Sequence, residues 1–180
     1  GFVGRQWVVA EIDQWIATGT SPLFWLAGEP GVGKSAISAY LVEHSELISA
    51  HHFFLFNKAN TLDLREVAKS LAYQLSCYIP AYAEYIDELD KQRLFDLDEK
   101  SFFDELVILP LTRKLEKQSI PIVILLDGLD EASANGRNAV AEYLAILLGS
   151  ADEWLKIILT SRSREHEISR PLSKFPPRLM

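Results

Sequence analysis

Glycines, a lysine and a hydroxyl stand at fixed spacing in Gly28-Glu29-Pro30-Gly31-Val32-Gly33-Lys34-Ser35, which fits G-x-x-x-x-G-K-[ST] at every fixed position. Glycines at 28, 31 and 33 permit a backbone path that a side chain would block, so successive N–H groups can turn inward around a phosphate. Pro30 stiffens the turn. Lys34 suits the β and γ phosphates of a nucleotide as a mobile point charge, and the Ser35 hydroxyl suits a magnesium ion bridging the same phosphates. A second set of chemical groups is Asp127, Asp130 and Glu131. The apolar run 120–126 releases Asp127 at its end, where a carboxylate could hold magnesium directly or through water, facing Ser35. Asp130 and Glu131 add two acids to the same rim, although a Gly- and acid-rich stretch is often only a solvated turn. The third is Arg162, placed either to stabilise γ-phosphate charge or as an ordinary surface arginine.

These residues need a scaffold that brings separate chain segments to one rim. The run 22–27 before the loop is short, apolar and aromatic, as for a buried parallel strand, and 36–46 continues at helical spacing. The loop therefore joins a strand to a helix, whose N-terminus adds positive dipole towards an anion. Further strands are read at 49–56, 120–126 and 155–161, and no clear fifth strand follows Arg162. Between them, Trp7, Val8, Glu11, Ile12, Trp15 and Ile16 form a helical stripe, with Trp7 and Trp15 as packing residues. Asp63 with Glu66 resembles a capping box opening a helix through Leu75 that Pro80 closes. The acidic stretch 82–97 suggests a short helix in a solvated insertion, and Pro110 must kink or restart the helix begun by Phe102 and Leu106. Asn135-Gly136 makes a turn before a last amphipathic helix from Val140 to Leu147. Alternating strands and helices imply a three-layer α/β/α domain with a mainly parallel sheet.

Composition narrows the function classes. A length of 180 residues suits one domain with a proper core, and 48% hydrophobic with 24% charged residues is ordinary for a soluble chain. A net charge of −7 advertises neither a nucleic-acid nor a membrane surface. No apolar run approaches 18 residues and no signal peptide is visible, which points to the cytoplasm. Cys77 is alone, so an internal disulfide is excluded, and it reads as a small buried hydrophobe. His51 and His52 adjoin, but strand neighbours point to opposite faces and do not easily share an ion. Gly1 is not a natural initiator, so the chain reads as a piece of a larger protein.

Phe2-Val3-Gly4-Arg5, then 25–35, then Ile124-Leu125-Leu126-Asp127-Gly128-Leu129-Asp130-Glu131, then Leu159-Thr160-Ser161-Arg162 together resemble a NACHT domain. That family belongs to the STAND class of signalling P-loop NTPases, of NOD-like receptor type, and is related to the AAA+ fold. The resemblance covers essentially residues 1–180, with 1–21 as the helical lead into the P-loop core. Its most specific feature is the small residue Gly128 directly after Asp127, with acids at 130 and 131. It implies ATP and ADP with Mg2+ as ligands. Val3, Gly4 and Arg5 would lie near the adenine, Gly28 to Ala36 around the phosphates, and Ser35 and Asp127 on the metal. Asp130 and Glu131 would orient water, and Arg162 would be the first sensor. It also implies a switch in which ADP holds a closed monomer and ATP permits self-association, with effector and sensor domains in cis and slow hydrolysis as the reset. The competing readings are a motor or loader ATPase acting on nucleic acid, against which the charge argues, a small-substrate kinase, and a non-hydrolysing interaction module.

Overall fold

The computed structural model describes residues 5–116 and 120–180. In chain order the main elements are α1 (Gln6–Thr18), β1 (Leu23–Ala27), α2 (Lys34–His44), β2 (Ile48–Phe53), α3 (Leu64–Tyr78), α4 (Pro80–Glu88), α5 (Lys91–Asp96) and α6 (Glu99–Phe103). They continue with β3 (Ile122–Asp127), α7 (Ala139–Ser150), β4 (Leu155–Ser161), α8 (His166–Ser169) and β5 (Arg178–Leu179). The strands form one sheet in the order β2-β3-β4-β1-β5, with every pairing parallel. β1, β3 and β4 are buried at every position, because helices cover both faces, and this is why their sequences run apolar rather than alternating. Alternation reappears in which face each residue serves. Phe24 and Leu26 pack with Val8, Ile12 and Ile37 under α1 and α2, while Leu23 and Trp25 pack with the larger layer of α3, α4, α6 and α7. The chain is therefore a three-layer α/β/α domain, as the alternating elements imply. Among the described residues, no helix is long and apolar enough to cross a membrane.

Several local expectations change. Trp7 is 59% exposed rather than packed. It lies about 100° round the helix from Val8, on the side away from Ile12 and Ile16, so α1 turns it to solvent. Cys77 is exposed, not buried, since the buried face of α3 is Leu64, Val67, Ala68, Leu71, Ala72 and Leu75 and residue 77 falls off it. β2 stops at Phe53, three residues earlier than the apolar run. Phe54 still bonds the Asp127 carbonyl at 2.9 Å, but Thr61 Oγ1 then bonds the Leu55 backbone and folds the chain away, leaving Phe56 81% exposed. Pro80 both ends α3 and occupies the first turn of α4, where its missing N–H has no partner to lose.

The segment 82–97 is no loose insertion. Tyr82 is fully buried, and its hydroxyl donates to the Leu106 carbonyl. That carbonyl would ordinarily receive the N–H of residue 110, which is proline. The helix passes Pro110 without breaking by widening into π-type turns over Asp104–Ile108 and Pro110–Lys114. Tyr85 likewise donates to the Glu105 carbonyl at 2.9 Å. The fifth strand exists: β5 adds to β1 with Leu26 opposite Arg178 and Ala27 opposite Leu179. It is two residues long and follows Pro176-Pro177, so no apolar run marked it. Asn135 and Gly136 make the expected turn, with φ of 52° and 72°.

Candidate functional site

The phosphate-loop residues lie between β1 and α2, at the carboxyl end of the sheet. Gly31 and Gly33 have φ of 80° and 93°, a left-handed path that turns the loop around its own N–H groups. Gly33 is the N-cap of α2, and a Cβ there would meet Arg5 Nη1 at 2.7 Å. That Nη1 is buried and has no hydrogen-bond partner. A buried guanidinium nitrogen left unpaired against the loop is the feature expected where a polar or anionic ligand atom completes the site. Arg5, expected near the adenine, thus lies against Gly33 of the phosphate loop. Val3 and Gly4, assigned to the same role, lie outside the described residues. Lys34 is buried, and its Nζ donates to the carbonyls of Gly28 at 2.7 Å and Glu29 at 3.2 Å. Two of its three donor directions hold the loop, which leaves one for a further acceptor. Burial pushes the Lys34 ammonium below its usual pKa, opposed by the charges of Asp130 and Asp127.

Across from the loop stand the ends of β3 and β4. The strand order puts β4 between β1 and β3, so whatever β4 carries at its end lies between the lysine and the carboxylates. Asp127 is only 4% exposed. Its Oδ1 accepts from two hydroxyls, Ser38 Oγ and Thr160 Oγ1, each at 2.7 Å. Thr160 Oγ1 in turn accepts from the Gly128 N–H at 2.8 Å. Gly128 has φ of 74°, and a Cβ would approach the Phe54 carbonyl to 3.2 Å, which explains why the residue after Asp127 is glycine. A short 3-10 turn, Leu129–Ala132, then presents Asp130 and Glu131.

Arg162 meets both acids. Its Nε lies 3.0 Å from Asp130 Oδ2, its backbone N–H donates to Asp130 Oδ1 at 2.9 Å, and its Nη2 lies 3.3 Å from Glu131 Oε1. The Asp130 pair is the stronger, since that carboxylate is nearly buried and bound twice. One cavity of about 300 Å³ is lined by Gly31, Gly33, Lys34 and Ser35 on one side and by Thr160, Asp130, Glu131 and Arg162 on the other. Pro30 and Ala36 also line it, whereas Gly28 and Glu29 face a neighbouring cavity. Gly28 makes close contact with Val32 across the loop, where a Cβ would come within 2.9 Å of Val32 Cγ2. Such a space, with a cation at its base and a hydroxyl and carboxylates around it, suits a polyphosphate and a hard divalent cation.

Ser38, Thr160 and Ser163 escaped the sequence reading. Ser38 sits one helical turn beyond Ser35 among apolar neighbours, and Thr160 ends an apolar strand at the level of Asp127. For Ser38 and Thr160 the signal was a hydroxyl within a largely apolar, buried run. Ser163 Oγ donates to Glu29 Oε1 at 2.7 Å, tying the loop after β4 to the phosphate loop. His51 and His52 do point to opposite faces. His52 Nε2 is 2.8 Å from the Thr61 carbonyl, and burial lowers the pKa of both rings.

Comparison with known proteins agrees with this architecture. Drosophila ORC bound to DNA is similar at a TM-score of 0.52 and 14% identity over 97% of this chain and 40% of that one. Cdc6p from Pyrobaculum aerophilum is similar at a TM-score of 0.49 and 12% identity over 98% of this chain and 42% of that one. The chain thus spans about two fifths of each of these two solved structures, and the ORC likeness shows the same three-layer α/β fold. The family described as Nephrocystin 3, N-terminal, matches residues 5–162, a span that opens at Arg5 and closes at Arg162. Every described residue of the cavity falls within it, and the chain belongs to the Nephrocystin 3, N-terminal, family.

Proposed function

We propose that the chain is an ATP- and ADP-binding, magnesium-dependent NTPase module of NACHT type that works as a nucleotide-gated switch in a larger cytoplasmic receptor of the STAND class. Its business is control of self-association and signalling, of the kind used in innate immunity, defence or cell death, with effector and sensor domains in cis. Residues 1–180 make up one such module, and residues 1–21 lead into its core.

The observation that carries this reading is the grouping of Lys34, Ser35, Asp130, Glu131 and Arg162 around one cavity at the carboxyl end of a parallel sheet. Loop N–H groups and Lys34 bind phosphate, and Arg5 supplies its unpaired nitrogen to the same ligand. Ser35 and Asp127 would hold magnesium, which would neutralise charge on the phosphates. Ser38 and Thr160 fix the Asp127 carboxylate through one oxygen, just behind the cavity that Gly128 and Thr160 line. Arg162 engages both water-orienting acids, so neither acts as a base until Arg162 turns to phosphate. That arrangement favours a switch with slow hydrolysis over a fast motor. The ORC likeness raises a DNA-acting ATPase as the second reading, and the net charge of −7 speaks against it.

The test is calorimetric titration with ATP and ADP in magnesium, with Lys34→Ala alongside. The expected result is saturable binding, tighter for ADP, weakened about 10- to 100-fold in the variant, as follows from losing one charged hydrogen bond. A folded chain that binds neither nucleotide, or binds equally well without Lys34, overturns the proposal.

A further inference from the structure

Behind the phosphate loop lies a second cavity, of about 320 Å³, which shares Gly28, Glu29 and Arg162 with the proposed nucleotide site. Trp25, Ala27, Leu179 and Met180 give it an apolar wall, and Arg162, Arg164, Glu29 and Glu165 stand at its rim. The Trp25 indole already donates to Ser161 Oγ at 2.9 Å, so an apolar ligand would leave no polar group of that ring unpaired. Of the rim charges, Arg162 is held by Asp130 and Glu131, and Glu29 accepts from Ser163. Glu165 also lines the adjoining cavity together with Asp130, Glu131 and Arg162. Arg164 is exposed and held at φ of 74°, a left-handed conformation unusual for a side chain of that size. Among the described residues it has no ion pair or hydrogen bond.

We propose that this cavity is a second ligand site, for a small aromatic molecule carrying one anionic group. The ring lies against Trp25 and Met180, and the anion meets Arg164. The volume is at the lower end of the range for small-molecule sites and has their usual character, an apolar body with a few charged groups at the edge. Arg162 lines both spaces, and Glu29 of the phosphate loop is bonded to Ser163 of the loop beyond β4. A ligand that shifts 162–165 therefore shifts the residue that engages the acids, so the two sites are coupled. The coupling rests on the function proposed above, whereas the site itself does not.

The probe is 1-anilinonaphthalene-8-sulfonate, with uncharged N-phenyl-1-naphthylamine as its partner lacking the anion, titrated by fluorescence against the intact chain. One equivalent of the sulfonate is expected to bind, at least about five times more tightly than the neutral compound, with Arg164→Ala erasing the difference. Ser169→Phe, which fills the cavity from α8, is expected to weaken both probes about tenfold or more. Leu179→Asp, at an exposed wall position, should weaken the sulfonate without threatening the fold, which unchanged circular dichroism and thermal midpoint would verify. Ser35→Ala, at a residue that lines the phosphate cavity and not this one, should leave probe binding intact, so failure of the nucleotide reading and failure of this one are separable. Probe binding that ignores both Ser169→Phe and Leu179→Asp overturns the site. Equal affinity for the two compounds overturns the anionic ligand. Magnesium-ADP should change the sulfonate affinity about threefold or more, with the reciprocal change in ADP affinity. Independent titrations overturn the coupling.

Discussion

Replacing Thr160 by valine keeps the shape of the side chain and removes one oxygen. In the folded chain that oxygen donates to Asp127 Oδ1 at 2.7 Å and accepts from the Gly128 N–H at 2.8 Å. Thr160 and Asp127 are both buried, so water does not replace what is lost. A hydrogen bond to a buried carboxylate contributes about 1.5–3 kcal/mol, and a stranded backbone N–H costs about 1 kcal/mol more, giving a loss of about 2.5–4 kcal/mol. In a domain of this size each kcal/mol lowers the melting temperature by about 2–4 °C. Urea unfolding measures the loss directly, and Thr160→Ser, which keeps the oxygen, should recover most of it. Because Thr160 acts through Asp127, its effect should shrink in an Asp127→Ala background, a non-additivity that a merely structural threonine would not show. Under the proposed function, the magnesium-dependent part of ATP affinity should also fall while the magnesium-free part stays. A Thr160→Val chain within about 0.5 kcal/mol of wild type, or fully additive with Asp127→Ala, would refute the hydroxyl clamp.

Gly128→Ala forces a side chain into φ of 74° with its Cβ 3.2 Å from the Phe54 carbonyl, and should cost about 1–3 kcal/mol by urea unfolding. An unaltered midpoint would mean that the turn relaxes freely. Tyr82→Phe strips the donor from the Leu106 carbonyl beside Pro110 and should cost about 1–3 kcal/mol, with amide exchange fastest over 104–114. His52 has its pKa lowered by burial, so the unfolded chain binds protons that the folded one refuses. Its contribution is complete above the unfolded value near 6.5 and is lost as pH falls below it. His52→Gln, which retains a donor for Thr61, should flatten the loss of stability between pH 6.5 and 5 relative to wild type. Parallel pH profiles for the two chains would rule out His52 as a source of that slope.

How much was legible followed from the range of the forces involved. The phosphate loop, its flanking strand and helix, and the strand that ends in Asp127 are local patterns, set by glycine freedom, helix dipole and uninterrupted apolar runs, and they stand in the structure where the sequence puts them. The turn at Asn135-Gly136 and the cap at Asp63 are local in the same sense, and each keeps its hydrogen bonds within a few residues. The errors arose where a distant partner decides. Pro110 reads as a break because its missing N–H is visible in sequence, whereas the Tyr82 hydroxyl that takes up the freed carbonyl comes from 24 positions earlier. Cys77 and Trp7 are apolar by type, but the neighbouring layer covers only one side of each helix. β5 carries no apolar run because two residues on an edge need only the open backbone of β1.

The sequence by itself determined the kind of chemistry to propose, since an eight-residue glycine-rich loop can build an anion site and an apolar strand can deliver an acid to a rim. Only the tertiary structure decided which groups work together. Inserting β4 between β1 and β3 places Thr160 on Asp127 and Arg162 on Asp130 and Glu131, and packing α2 on the sheet brings Ser38 to the same carboxylate across 89 positions of chain. Strand order is settled by how the layers pack, and no local pattern encodes it.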